Sequence, residues 1–479
     1  MKTYYLAVDI GASSGRHILG SIQNGKIVLE EIYRFPNGMK EKDGHLCWNV
    51  EDLFFHIKEG MKQCRLAGKI PESMGIDTWA VDFVLLNKEG QILGNAVGYR
   101  DDRTRGEDQK VYEIISEEEL YRRTGIQKQI FNTVYQLEAI KNQQPKLLEQ
   151  AETMLMIPDY FHYLLTGVKK QEYTNATTTQ LVDPVTGAWD MELIGQLGFP
   201  ERLFGALSEP GTLVGTLRKD VEEEVGFTCK VVLPATHDTA CAVMAVPVPG
   251  KEQAGASPDM LYISSGTWSV MGTELKKADC SEESRKRNFT NEGGYEKRFR
   301  YLKNIMGLWM IQSLKKEWKD SWSFAQLCEL AEQETISSLV DCNDERFLAP
   351  ESMIEAVQEF CRNSGQQVPQ TAGELAAVIY QSLAVCYGEA LKELEEMTGH
   401  HYSGIHIVGG GANADYLNRL TAKAAGRTVY AGPTEATAIG NLLAQMIRDG
   451  WFQNLDQARE AVLHSFPIQT FESSMLQKN

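Results

Sequence analysis

The chain has 479 residues, 43% of them hydrophobic, enough to bury large cores in two or three domains. Its 65 acidic against 48 basic residues leave a formal charge of -17, which argues against a nonspecific nucleic-acid groove or an anionic membrane surface as partner while leaving room for a local phosphate pocket. No apolar run reaches transmembrane length and Asp9 interrupts the apolar start, so no secretory signal or membrane anchor is expected and a cytoplasmic location is predicted. The nine cysteines form no Cys-x-x-Cys pair and no zinc-like spacing with histidine, and read mainly as reduced or buried thiols.

Short β-rich segments come first, at 3–10, His17–Gly20 and Ile27–Tyr33, followed by a helical pattern from Val50 to Ala67. Met74–Trp79 is a strand ending in a polar tip, and Val81–Gly90 a further strand and turn. Three strands, a helix and a strand are the order of a ribonuclease-H-like unit. Helices fill much of 107–165, with Pro158–Asp159 opening one of them. A strand at Val231–Leu233 leads into His237–Asp238. The breaker-rich run from Pro247 to Pro258 marks the expected boundary between a first domain, 1–246, and a second, 247–479. The second half restarts with a strand at Met260–Ile263, has helical patterns over 305–318, 350–363 and 372–397, and passes from a strand at Ile405–Val408 through three glycines into a helix at Ala414–Ala425. A glycine-bounded helix follows within Gly432–Asn441. The predicted class is α/β, with two similar halves around a central cleft.

Two turns carry the chemistry. The strand Tyr4–Ile10 presents Asp9 and runs into Gly11-Ala12-Ser13-Ser14-Gly15-Arg16, and Ser264-Ser265-Gly266-Thr267-Trp268-Ser269 repeats the plan. A strand-end carboxylate suits a hydrated magnesium ion, and small hydroxyl-rich turns bring backbone N–H groups to phosphate oxygens. Either turn alone is equally an ordinary hairpin; together they suggest two lips on a nucleoside triphosphate. Neither Gly-x-x-x-x-Gly-Lys-Ser/Thr nor Gly-x-Gly-x-x-Gly occurs at the first strand, which removes the main support for P-loop and dinucleotide sites. Gly409, Gly410 and Gly411 permit close approach of a base or ribose, or form a tight turn without a ligand. Asp238 suits a general base for an alcohol, with helix capping as its bland alternative. His237 reads as a sugar contact or a core histidine, and Asp77, Trp79 and Asp82 as a sugar wall or as core.

The blocks Asp9–Arg16, Gly75–Trp79, Val81–Phe83, Met156–Tyr160, Glu172–Thr178, His237–Ala240, Ser264–Ser269, Thr290–Gly294 and Lys303–Trp309, in this order along nearly the whole chain, resemble the FGGY family of carbohydrate kinases. The resemblance implies two actin-like domains, the first binding sugar and supplying the base, the second binding ATP. Gly11–Arg16 and Thr290–Gly294 point within the family to transfer of the γ-phosphoryl of magnesium-ATP to the C1 hydroxyl of L-rhamnulose. It implies Asp238 as base, His237, Asp77, Trp79 and Ala80 as substrate contacts, Ser13, Ser14, Arg16, Thr267, Asn304, Gln312, Gly410 and Gly411 at ATP, and Asp9 orienting Mg2+ through water. Ala80 departs from the glycine of the family pattern and narrows a pocket where backbone meets sugar. A monomer suffices, because one chain supplies both halves of the cleft. L-fuculose, xylulose and glycerol kinases of the same fold are the alternatives, and an actin-like ATP switch is a more distant one.

Overall fold

The structure is a computed structural model that describes residues 2–248, 260–348 and 350–473. The run from Pro247 to Pro258, expected at the boundary, falls almost entirely outside the described residues. By its contacts the chain divides into two units: Met1–Ala245 with Leu275–Tyr301 and Thr437–Ser465, and Val246–Glu274 with Leu302–Ala436 and Phe466–Asn479. The spans 1–246 and 247–479 divide the sequence, whereas this division follows the packing. Two later segments thereby join the first unit.

The first unit is built on a six-stranded sheet in the order Leu213–Thr216, Lys230–Val232, Pro71–Thr78, Tyr4–Ile10, Ser14–Gln23, Lys26–Pro36. Tyr4–Ile10 pairs in parallel with Pro71–Thr78, and Ser14–Gln23 folds back antiparallel on its other side. That register sets Asp9 beside Asp77 on one flank and opposite Arg16 on the other. Helix Val50–Leu66 covers one face with Val50, Leu53, Ile57, Met61 and Cys64 at helical spacing, and Asn49 caps it by accepting from the Asp52 N–H at 3.2 Å. Gly60 of this helix makes room for His17, since a Cβ there would lie 2.3 Å from the imidazole. Helix Ala436–Arg448 closes the opposite face: Leu442 packs into the cluster of Tyr5, Ala7 and Ile18, and Gln445 accepts from Ser73 and donates to the Leu6 carbonyl.

The second unit repeats the motif, with Ser269–Leu275, Leu261–Ser265, Gly404–Val408, Thr428–Ala431 and Gln469–Phe471 following one another in a sheet. Leu261–Ser265 again has an antiparallel neighbour from its own hairpin and a parallel neighbour, Gly404–Val408. Helix Ala372–Thr398 starts with a capping box of Thr371 and Glu374 and crosses helix Asp415–Ala425 closely at Gly388, where a Cβ would meet the Ala424 carbonyl at 3.0 Å. All nine cysteines are free thiols.

Candidate active site

Ligands of open α/β sheets gather at the carboxyl ends of parallel strands, and there the first unit collects its charged groups. Asp9 ends the first strand and its Oδ2 accepts from Arg16 Nε at 2.9 Å and Nη2 at 2.8 Å. Asp77, one strand over, is fully buried; its Oδ2 accepts from Asn441 Nδ2 at 2.6 Å, while its Oδ1 has no hydrogen-bond partner among the described residues. Burial raises the Asp77 carboxyl well above the usual range, and the charges of Asp9 and Asp238 add to it. A divalent cation would relieve these mutually repelling acids, but among the described residues no three carboxylate, histidine or cysteine side chains gather as a metal cage, so the chemistry fits Mg2+ only as a hydrated ion approached by Asp9 through water.

His237 forms a bridge to Thr78 and stands at the N-cap position of helix Asp238–Met244 without a side-chain capping bond. Asp238 is therefore the first residue inside the helix rather than its cap. Its Oδ1 accepts from the Thr239 N–H at 2.5 Å and hydroxyl at 3.1 Å. Its side chain keeps 32% of its exposure, against 8% for Asp9, so an alcohol can reach it. Burial and then the Asp9 charge push the Asp238 carboxyl up to about 7.

Trp79 forms part of a different arrangement. It is 6% exposed, its ring centroid lies 3.9 Å from that of Trp48, and both indoles donate to Asp82. Ala80 is half-buried in the turn that follows, and its carbonyl accepts from the Asp82 N–H at 2.8 Å. Val81 adopts φ 64°, a strained value for a β-branched residue, and its carbonyl is fixed by Thr133 Oγ1 and Gln136 Nε2.

The first hydroxyl-rich turn is tight: the Gly11 N–H donates to the Ser14 carbonyl at 2.9 Å, so that donor is spent within the turn. Gly15 makes space for Phe35, which a Cβ would meet at 2.1 Å. Ser13 is exposed and Ser14 half-buried. In the second unit the Gly266 N–H closes its turn on the Trp268 carbonyl, and Thr267 Oγ1 lies 3.4 Å from Gln312 Oε1. Asn304 is half-buried on Phe299–Ile305. After Gly404–Val408, Gly409 takes φ 85° and a 3-10 turn covers Gly410–Asn413. A Cβ on Gly411 would lie 1.9 Å from Ser265 Oγ, whereas one on Gly410 would meet nothing within 4 Å.

Sequence patterns missed three partners of this site. Asn441 donates to Asp77, and Glu292 and Arg300 lie against His237; Asn441 and Glu292 fall in segments the sequence singled out, but with no role given to either residue, and Arg300 falls in none.

The chain belongs to the FGGY family of carbohydrate kinases, two-domain α/β phosphotransferases, whose N-terminal domain matches residues 4–245 and whose C-terminal domain matches residues 261–448. It is an ATP-dependent sugar kinase. It is 49% identical to the rhamnulokinase of Halalkalibacterium halodurans over 98% of this chain and 99% of that protein. Rhamnulokinases of Oceanobacillus iheyensis and Bacillus subtilis match at 48% and 44% identity, each over 98% of this chain and over 98% and 95% of the relative. In fold it is similar to a gluconate kinase from Lactobacillus acidophilus, with a TM-score of 0.79 at 15% identity over 98% of this chain and 94% of the other. Plasmodium falciparum glycerol kinase with ADP gives a TM-score of 0.75 at 13% identity over 99% and 94%.

Proposed function

We propose that the chain transfers the γ-phosphoryl of magnesium-ATP to the C1 hydroxyl of L-rhamnulose, with Asp238 as general base. The observation that carries this is the likeness of 49% and 48% to two rhamnulokinases along nearly the whole of both chains. The site chemistry agrees with it. The C1 hydroxyl gives its proton to Asp238, a bond forms from its oxygen to the γ-phosphorus, and the bond from that phosphorus to the β,γ-bridging oxygen breaks, releasing ADP.

His237 binds the sugar beside the base. Arg16 holds Asp9 in place, and Asp9 would hold Mg2+, which supplies charge neutralisation at the phosphates. Ser13, Ser14 and Thr267 offer hydroxyls to phosphate oxygens. Asn304, Gln312 and the open backbone at Gly410 serve the nucleoside, with Gly411 letting the turn pack on Ser265. Asp77 acts through the acidic cluster, and Trp79 and Ala80 through the shape of the turn that would bear on the sugar.

A cytoplasmic enzyme acting as a monomer on a free small-molecule ketose is the simplest form of this proposal; among the described residues no helix is long and apolar enough to cross a membrane. Phosphorus NMR of the product made from L-rhamnulose and ATP tests it. A phosphate monoester at C1 is expected, and a monoester elsewhere, or none, overturns it.

A further inference from the structure

Phosphoryl transfer as set out above uses neither Glu292 nor Arg300, yet both lie against His237 within the first unit. Arg300 is fully buried. Its Nε donates to the Gly293 carbonyl at 3.0 Å, and its Nη2 lies 3.1 Å from His237 Nδ1 and 3.0 Å from Glu292 Oε2. A guanidinium has donors only and keeps its charge. His237 Nδ1 must therefore accept, and the proton of the neutral imidazole sits on Nε2, the nitrogen 3.4 Å from Asp238 Oδ1.

Glu292 alone would favour the opposite state, because its Oε2 is 3.4 Å from Nδ1 and could accept a proton held there. Arg300 stands closer to both partners and decides the competition. The groups facing His237 are thus one cation, Arg300, and two carboxylates, Glu292 and Asp238. Burial, followed by the Arg300 charge, disfavours the imidazolium.

The backbone is shaped for this contact. A Cβ on Gly294 would lie 2.8 Å from the Arg298 carbonyl and 3.4 Å from Arg300 Cγ, and one on Gly293 would strike Tyr173 at 2.5 Å. Gly293 is also tied to Thr177, whose hydroxyl accepts from its N–H at 2.9 Å. The block Thr290–Gly294 therefore delivers Glu292 and the Gly293 carbonyl to a fixed guanidinium.

We propose that Arg300 is a positioning residue for sugar recognition: it locks His237 as the neutral Nε2–H tautomer, so that His237 donates to a sugar oxygen beside Asp238. An oxygen on C2 beside the reacting hydroxyl, the carbonyl of the open chain or the ring oxygen of the cyclic sugar, has only lone pairs and suits such a donor. A bare Nε2 would instead accept, and would compete with Asp238 for the hydroxyl proton. This rests on the proposed sugar kinase reaction, but the tautomer is read without substrate.

The experiment is 15N NMR of the full-length protein labelled in its histidine rings, with His237→Gln identifying the His237 signals. The expected wild-type spectrum has an unprotonated Nδ1 and a protonated Nε2, unchanged between about pH 6 and about pH 8. Arg300→Met is expected to move the proton to Nδ1, facing Glu292, and to lower kcat/KM for the sugar about 10- to 100-fold with the KM for ATP unchanged. A protonated Nδ1 in the wild type, or an Arg300→Met protein that keeps Nε2–H whatever its activity, overturns the proposal. If Arg300→Met does not fold, the wild-type spectrum decides. Inactivity toward L-rhamnulose would overturn the substrate assignment and leave the tautomer standing.

Discussion

The indole N–H of Trp79 donates to Asp82 Oδ2 at 2.9 Å, and Trp48 donates to the same oxygen at 2.7 Å. The Tyr99 N–H adds a third bond to that oxygen, while Gln136 donates to Oδ1. One buried carboxylate thereby organises two indoles in close, tilted contact and the turn through Ala80. Despite four donors, burial raises the Asp82 carboxyl to about 6.

That shift has a defined sign. A carboxyl with a folded-state pKa above its unfolded value of about 3.9 binds more protons folded than unfolded across the interval, so its contribution to stability declines as pH rises from about 4 to about 6. Urea unfolding of the wild type and Asp82→Asn over this range should show the wild type losing stability relative to the variant. A rising difference would mean that the four hydrogen bonds outweigh burial.

Asp238→Asn should lower kcat by about 10²- to 10⁴-fold while nucleotide binding persists, because it removes the proton acceptor and leaves the phosphate turns intact. With the carboxyl pushed up to about 7, activity at limiting sugar should rise with pH through that region and then level off. Near-normal turnover by Asp238→Asn would remove it from the base role.

Gly410 has open space beside it whereas Gly411 is packed on Ser265, so the two glycines test the proposed nucleotide contact separately from packing. Gly411→Ala drives a Cβ into Ser265 and should lower thermal stability as well as ATP affinity, whereas Gly410→Ala meets no protein atom within 4 Å. Gly410→Ala is expected to keep the wild-type melting temperature and raise the KM for ATP. An unchanged KM would place the nucleotide elsewhere.

Glu172 braces the loop before His237. Its carboxylate accepts from the backbone N–H and hydroxyl of both Thr174 and Thr236, and from the Asn175 N–H. Glu172→Gln puts an amide donor where only donors converge, and should cost about 1–3 kcal/mol by chemical denaturation. A loss below a few tenths would show that the loop holds itself.

What could be read from the sequence follows from range. Asp9 at the end of an apolar strand, the helix expected over 50–67 and the glycines at 409–411 are local patterns, and the structure shows them as strand, a helix at Val50–Leu66 and strand-end turn. The bond of Asn441 to Asp77 spans 364 residues and that of Arg300 to His237 spans 63, and no periodicity encodes such pairs. Trp79 was open to two readings; its N–H and one ring face belong to Asp82 and Trp48, which only the fold reveals. Gly11 and Gly15 were legible as necessary, but Gly15 serves Phe35 and Gly11 its own turn.

The most direct test of the whole account is sugar-dependent ADP release from magnesium-ATP, comparing kcat/KM for L-rhamnulose, L-fuculose, D-xylulose, D-fructose and glycerol against a control without sugar. The account predicts that L-rhamnulose is preferred by far and that release is negligible without an acceptor. A higher kcat/KM for any other acceptor would contradict the substrate assignment, and equal release without sugar would contradict the kinase mechanism itself.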